Sequence, residues 1–402
     1  MPAARSIYLD NAATTPPLPA VVEAIARTSL ECFGNPSSAH GFGPPARAAL
    51  EDAREFLRGT LGAARVVFTS GGSEADYLGI IGSAASRPPG RVLMAQSDHP
   101  ALLQCQGLLS RYRHHCTLLP VTADGDLAPE TLFDALGTDV RTVALMYGHN
   151  ELGTLCQLPE LVELVRRVAP EAHIHVDLVQ TYGKLPFDFE TFDVDSVAVS
   201  GHKFHGPRGA GFLALSSTAT IAPLQLAGGQ EGGLRGGTEN VAGAVGLAIA
   251  AEHALTHQAT TAAWTREVCQ RLLDALQEVV PTATRLGHPD RRLPHVLSLR
   301  LPGLVGQTLA ARCAARGLAF STGSACHGAN AHDGEAKPKP ASNPVLAAIG
   351  LDQQGAREVV RLSPSGSSSA EEVAAAITIL VDESRRLLGS ALRPAAPRAE
   401  PR

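Results

Sequence analysis

The feature that most limits how this chain can fold is a regular alternation of short apolar runs and helical patterns between residues 60 and 216. The runs are VVFTS ending at Ser70, RVLMA at 91–95, TVALMY at 142–147, HIHVD at 173–177 and SVAVS at 196–200. All read as β-strands. Between them lie helical patterns such as PELVELVRRVA, where Pro159 suits a first turn because its missing N–H leaves nothing unpaired. Strands alternating with helices predict an α/β fold with a mostly parallel sheet covered on both faces. GAGFLALS at 209–216 follows too closely for a crossover helix and is expected as an antiparallel neighbour.

A second region begins near residue 263. LPHVLSLRL at 293–301 reads as a strand and QTLAARCAARG at 307–317 as a helix closed by Gly317. Ser369 and Glu372 form a capping box for a final helix whose Val373, Ile377, Leu380 and Leu387 share one face. The Pro- and Ala-rich end, 391–402, is expected to be a disordered tail.

A length of 402 residues suits one large domain with a satellite, or two domains. A net charge of −5 gives no electrostatic reason to expect nucleic acid or an anionic membrane as partner. Seven cysteines, scattered without paired spacing, read as reduced thiols rather than a disulfide framework. No stretch is apolar for long enough to span a bilayer, and the N-terminus MPAARSIYLDNAATTPP has neither a signal-peptide core nor a presequence pattern. The expected location is the cytoplasm.

The strongest chemical signal is Ser200–Gly201–His202–Lys203 at the end of an apolar strand. A plain surface lysine is the bland alternative. A desolvated lysine, however, can lose its proton and form a Schiff base with a carbonyl. Asp177 ends HIHVD and Gln180 lies three residues on. A carboxylate at a strand's C-terminal edge can pair with a protonated pyridine nitrogen, although a helix N-cap is the commoner use of such an Asp. Thr69–Ser70–Gly71–Gly72–Ser73–Glu74 joins a strand to a helix whose N-terminus can cradle a phosphate. It has neither Walker nor dinucleotide spacing.

His99, just past another strand, can stack on a flat ring and move protons, or merely cap a helix. Arg361 can clamp a carboxylate bidentately, or be an ordinary strand-edge arginine. Cys326 lies in the Gly- and Ser-rich loop STGSACHG, where an exposed thiol is a candidate nucleophile; the other six cysteines read as structural. His327 beside Cys326 hints at a metal pair, but no further ligand is spaced to complete a site.

In order along the chain, YLDNAATTP, GNPSSAHGFG, TSGGSEA, SDHPA, HNELGT, HVDLVQTYGK, SGHKFHGPRGAGFL, GGQEGGLRGGTEN, STGSACH and VRLSPS resemble the cysteine desulfurase and selenocysteine lyase group of class-V aminotransferase-like, fold-type I enzymes dependent on pyridoxal 5′-phosphate. The resemblance covers nearly the whole chain. It implies a seven-stranded large domain over 16–262 and a small domain from 1–15 and 263–390. It implies that Lys203 holds the cofactor covalently, Asp177 meets the pyridine nitrogen, Gln180 approaches the ring hydroxyl and His99 stacks on the ring. Ser73, Ser200 and His202 would hold the phosphate, and Thr238 would reach the phosphate of a neighbouring subunit in a homodimer. Asn150 and Arg361 match positions that meet the carboxylate of an amino-acid substrate. Cys326 matches the reactive loop cysteine that takes up sulfur as a persulfide or assists selenium release, with alanine as the other product and an acceptor protein as a further partner.

Several positions depart from the pattern: Ala75–Asp76–Tyr77, His149, Leu178, Pro44 and Pro364–Ser365. The ACH triplet and the long segment GANAHDGEAKPKPASNPVL are closer to selenocysteine lyases than to housekeeping desulfurases. Two other readings differ in class. One is an aminotransferase or sulfinate-eliminating lyase in which Cys326 is incidental, so that Cys326→Ala changes nothing. The other is a non-catalytic scaffold, which would show no visible cofactor band.

Overall fold

The computed structural model describes residues 6–225, 228–322 and 343–391. Among them the strands are, in chain order, β1 (Ile7–Tyr8), β2 (Arg65–Thr69), β3 (Arg91–Ala95), β4 (His115–Leu119), β5 (Val140–Met146), β6 (His173–Asp177) and β7 (Ser196–Ser200). They continue as β8 (Gly211–Leu215), β9 (Thr284–Arg285), β10 (Leu297–Arg300), β11 (Leu318–Ala319), β12 (Ser321–Thr322) and β13 (Val359–Leu362).

Seven of these form one sheet in the order β2-β8-β7-β6-β5-β3-β4. The pairs β3–β4, β3–β5, β5–β6 and β6–β7 are parallel. β8 runs antiparallel between β7 and β2, as its short connection requires. The α/β fold with a mostly parallel seven-stranded sheet is therefore present. Its inner strands are buried because helices cover both faces: Leu93, Val143, Ile174, Val197 and Phe212 all lie in the main core. Strand β4 has no counterpart among the sequence-predicted strands. It is the sheet edge, and its HCTLL run keeps only Leu119 fully buried, which weakens the apolar signal.

A second sheet has the order β12-β13-β10-β9, entirely antiparallel. Leu297, Leu299 and Leu362 from it pack with Leu272, Leu309, Val373 and Leu380 in a separate core. The final helix, Ala370–Ala391, starts with the expected reciprocal cap. The Ser369 N–H donates to Glu372 at 3.0 Å, and the Glu372 N–H donates to the Ser369 hydroxyl at 3.2 Å. Ser369→Ala is expected to cost about 1 kcal/mol of stability, read as a lower urea midpoint with an unchanged slope.

The N-terminal segment ties the two sheets together. β1 pairs with β11, and the Asn11 N–H donates to the Ser363 carbonyl at 3.1 Å, just beyond β13. A few residues on, the Thr15 N–H donates to the His202 carbonyl at 2.8 Å, just beyond β7. Residues 11–15 thus cross from the small sheet to the C-terminal edge of the large one, where α/β sheets place their ligands.

Candidate functional site

A cavity of about 510 Å³ opens at that edge. It is lined by Ser73, His99, Asn150, Asp177, Gln180, Ser200, His202 and Lys203, eight of the residues singled out from sequence. They come from the ends of β2, β3, β5, β6 and β7, which explains how positions 130 residues apart in the chain share one space.

The turn after β2 is built for close approach. Gly71 sits at φ 155°, ψ −175°, a conformation that side chains oppose. A Cβ on Gly72 would fall 2.6 Å from Val179 and 3.3 Å from Ser200. These glycines let the helix Gly72–Ala85 begin at the cavity wall, and Ser73 in its first turn lines the cavity together with Ser200 and His202. Burial, then Lys203, pushes His202 down to about 4, so its imidazole is neutral at pH 7. Its Nδ1 lies 3.0 Å from the Thr14 hydroxyl.

Asp177 ends β6 fully buried. One carboxylate oxygen accepts from the Val179 N–H at 2.7 Å, the turn-capping use of such a residue. Burial, and next the neighbouring Asp76, push its carboxyl up to about 8. Gln180 donates from Nε2 to the Ala12 carbonyl at 2.9 Å, which holds its amide at the cavity wall. Lys203 closes the 3₁₀ turn Gly201–Lys203, and its Nζ donates to the carbonyls of Ala12 and Ala13, each at 2.9 Å. The group that binds the crossing segment is the amine that enters the cavity.

His99 serves both of its sequence readings. Its Nδ1 accepts from the Ala101 N–H at 3.1 Å, capping the short helix Pro100–Leu103, while the residue also lines the cavity. Arg361 is buried at the rim rather than in the lining. It donates to the Asn150 carbonyl at 3.0 Å and to Asp10 at 2.9 Å. Thr238 is exposed and does not line this cavity. Cys326 and His327 lie outside the described residues. Among the described residues no cluster of His, Cys, Asp or Glu could hold a metal ion, and no helix is long and apolar enough to cross a membrane.

Thr14, Asp76, Met146 and Arg208 also line the cavity, although sequence reasoning assigned them no role. Thr14 stands in YLDNAATTP, but its partner is 188 residues away. Two of the departures prove to be internal supports. His149 is buried, with Nε2 2.8 Å from the Ser97 carbonyl and Nδ1 accepting from the Glu151 N–H. Leu178 is fully buried in the main core.

The sequence matches the family "Aminotransferase class-V" over residues 7–375. The chain belongs to the class-V aminotransferase family. Within it, this member is 36% identical over 384 residues to the IscS-like cysteine desulfurase of Mycobacterium tuberculosis, covering 93% of this chain and 95% of the relative. It is 34% identical over 373 residues to the cysteine desulfurase NifS of Azotobacter vinelandii, covering 91% and 90%. A solved NifS-like protein superposes with a TM-score of 0.85 at 30% identity, covering 96% of this chain and all of that one.

Proposed function

We propose that the chain is a pyridoxal-5′-phosphate enzyme that removes sulfur from L-cysteine, with L-selenocysteine as a competing substrate, and leaves L-alanine. The observation that carries this reading is that Lys203 and the buried Asp177 line the same cavity as the glycine–serine helix start. The donor set fits the cofactor. A carboxyl that burial pushes up to about 8 is stabilised as an anion only by a cation beside it, as a protonated pyridine nitrogen would be. The helix N-terminus with Ser73, Ser200 and neutral His202 offers donors to a phosphate. The relatives named cysteine desulfurase support sulfur as the leaving atom. The pull toward selenium rests only on the ACH triplet and the segment after it.

When bound, the cofactor supplies an aldehyde for amines and a ring that accepts an electron pair from Cα. Lys203 would hold the aldehyde and, as a free amine, hold and return a proton at Nζ. Asp177 would keep the ring nitrogen protonated, Gln180 would meet the ring hydroxyl, and His99 would lie against the ring and hold a proton at its imidazole. Ser73, Ser200 and His202 would orient the phosphate, and Asn150 with Arg361 would orient the substrate carboxylate. Cys326 would receive the substrate sulfur as a persulfide, for transfer to an acceptor protein. Thr238, exposed in the single chain, would meet the phosphate of a second copy in a homodimer. Residues 16–262 would form the large domain, with 1–15 and 263–390 the small one.

The test incubates the cofactor-loaded protein with L-cysteine or L-selenocysteine, with a dithiol present to reduce the persulfide and release sulfide, and measures alanine, sulfide and selenide. Alanine is expected in equal amount to the released chalcogen, and Cys326→Ala is expected to abolish transfer of sulfur to protein. A keto acid in place of alanine, or no turnover of either substrate, overturns the reading.

A further inference from the structure

Beneath the cavity, on the same face of β6 as Asp177, runs a string of four buried polar side chains. Asp76 Oδ1 lies 3.1 Å from His175 Nε2, His175 Nδ1 lies 2.8 Å from the Ser196 hydroxyl, and that hydroxyl lies 2.7 Å from His173 Nε2. All four residues are shielded from solvent. The alternation of a strand places His173, His175 and Asp177 on one side. Gly79 makes room for the string, since a Cβ there would collide with the His175 ring. Such a string directs its protons one way along its length.

The cavity therefore holds two buried carboxyls, Asp76 and Asp177. The titratable groups that face Asp76 are His175 and Asp177 from β6, Asp98 from the turn after β3, and the Cys105 thiol. Except for His175, every one is an acid. A protonated ring nitrogen offers only one positive charge, so only one of the two carboxyls can ionise without a buried, unbalanced anion. The string decides which.

We propose that Asp76 is a positioning residue of the cofactor site, a neutral carboxylic acid that donates to His175 Nε2 and so leaves Asp177 as the one anion meeting the ring nitrogen. This rests on the cofactor reading above. His175 Nδ1–H then donates to Ser196, and the Ser196 hydroxyl donates to His173 Nε2. Burial supports that direction from both ends: it raises the Asp76 carboxyl well above its ordinary range and pushes His175 down to about 4. The opposite direction asks Asp76 only to accept from His175, which is the role of an ionised carboxylate, here next to Asp177. Its single advantage is at the far end, where His173 Nδ1 has no hydrogen-bond partner among the described residues and would be a bare lone pair instead of an unpaired N–H. An unpaired N–H costs less than a second buried carboxylate.

The test compares the cofactor-loaded wild type with D76N and D76A. An amide N–H can replace the acid O–H, so D76N is expected to keep the pH midpoint of the visible cofactor band within about 0.3 unit and kcat/KM within about threefold. D76A leaves His175 Nε2 unpaired and is expected to lower kcat/KM roughly tenfold, with D76N as its rescue. Infrared difference spectra, wild type minus D76N at neutral pH, are expected to show a protonated-carboxyl stretch. A carboxylate pair in that spectrum, or a midpoint shift of about one unit or more in D76N, overturns the proposal. So does a D76A protein indistinguishable from wild type. A wild type with no visible cofactor band sinks the cofactor reading instead, while the infrared result still decides the charge on Asp76.

Discussion

Lys203→Ala is expected to lower turnover of L-cysteine by on the order of 10⁴-fold, the scale seen when a residue acting in every chemical step is removed. The visible band of the bound cofactor should shift as its covalent link is lost. The geometry makes the amine difficult to replace. Gly201 fixes the turn that carries it, accepting from the Gly206 N–H at 2.9 Å and donating to the Ala210 carbonyl at 3.0 Å. Lys203 Nζ then sits between two carbonyls of the crossing segment. A second amine, Lys184, is buried nearby, and burial together with Lys203 pushes it down to about 7. Lys184 therefore gives up its proton readily and adds little positive charge next to the Lys203 amine. Loss of the two charge-assisted bonds to Ala12 and Ala13 should also cost about 1–2 kcal/mol of stability. Lys203→Arg separates the two roles. It can restore the bonds to the carbonyls and hence the urea midpoint, but not the covalent link or turnover. Activity in either variant within tenfold of wild type would remove Lys203 from the chemistry.

The parts of this picture legible in sequence are those where one local signal decides. β3, β6 and β7 have the residue limits that their apolar runs predict, because each is buried on both faces and ends at a polar turn. β5 starts two residues earlier than TVALMY and ends one residue earlier, since the polar Arg141 interrupts the apolar run that the buried Val140 begins. β4 was hidden for the same reason. At the cavity, Lys203, Asp177 and the Gly71–Gly72 turn stand where residue type and strand end announce them. What the sequence conceals is pairing over distance. Nothing local says that Ala12 accepts from both Gln180 and Lys203, or that Arg361 is held by Asp10, 351 residues away. Asp76 shows the limit well. By type it stood out only as a departure from a family pattern, and only the fold brings it to the cavity wall, 3.1 Å from His175.

Asp177→Asn is expected to lower turnover by at least about 10³-fold, because a neutral amide cannot hold a proton on the ring nitrogen while charge builds there. The same carboxyl makes a second prediction that needs no substrate. In the cofactor-free protein burial pushes Asp177 up to about 8 from an ordinary 3.8. Between those values the folded protein keeps a proton that the unfolded chain has lost. The contribution of Asp177 to stability must therefore fall as pH rises from about 4 to about 8, and level off above, at a limiting slope of about 1.4 kcal/mol per pH unit for one proton. Asp98, also pushed up to about 8 by burial, and Asp76, raised well above its ordinary range by burial, add their own shares, so Asp177→Asn should flatten the decline without abolishing it. Urea unfolding of cofactor-free wild type and variant at pH 5, 6.5 and 8 reads this directly. Added cofactor should flatten the wild-type curve in the same way, since a cation beside Asp177 removes the cost of its ionisation. If wild type and variant lose stability in parallel across that range, Asp177 is already an anion in the empty cavity, some other charge balances it, and its claim on a protonated ring nitrogen loses its physical basis.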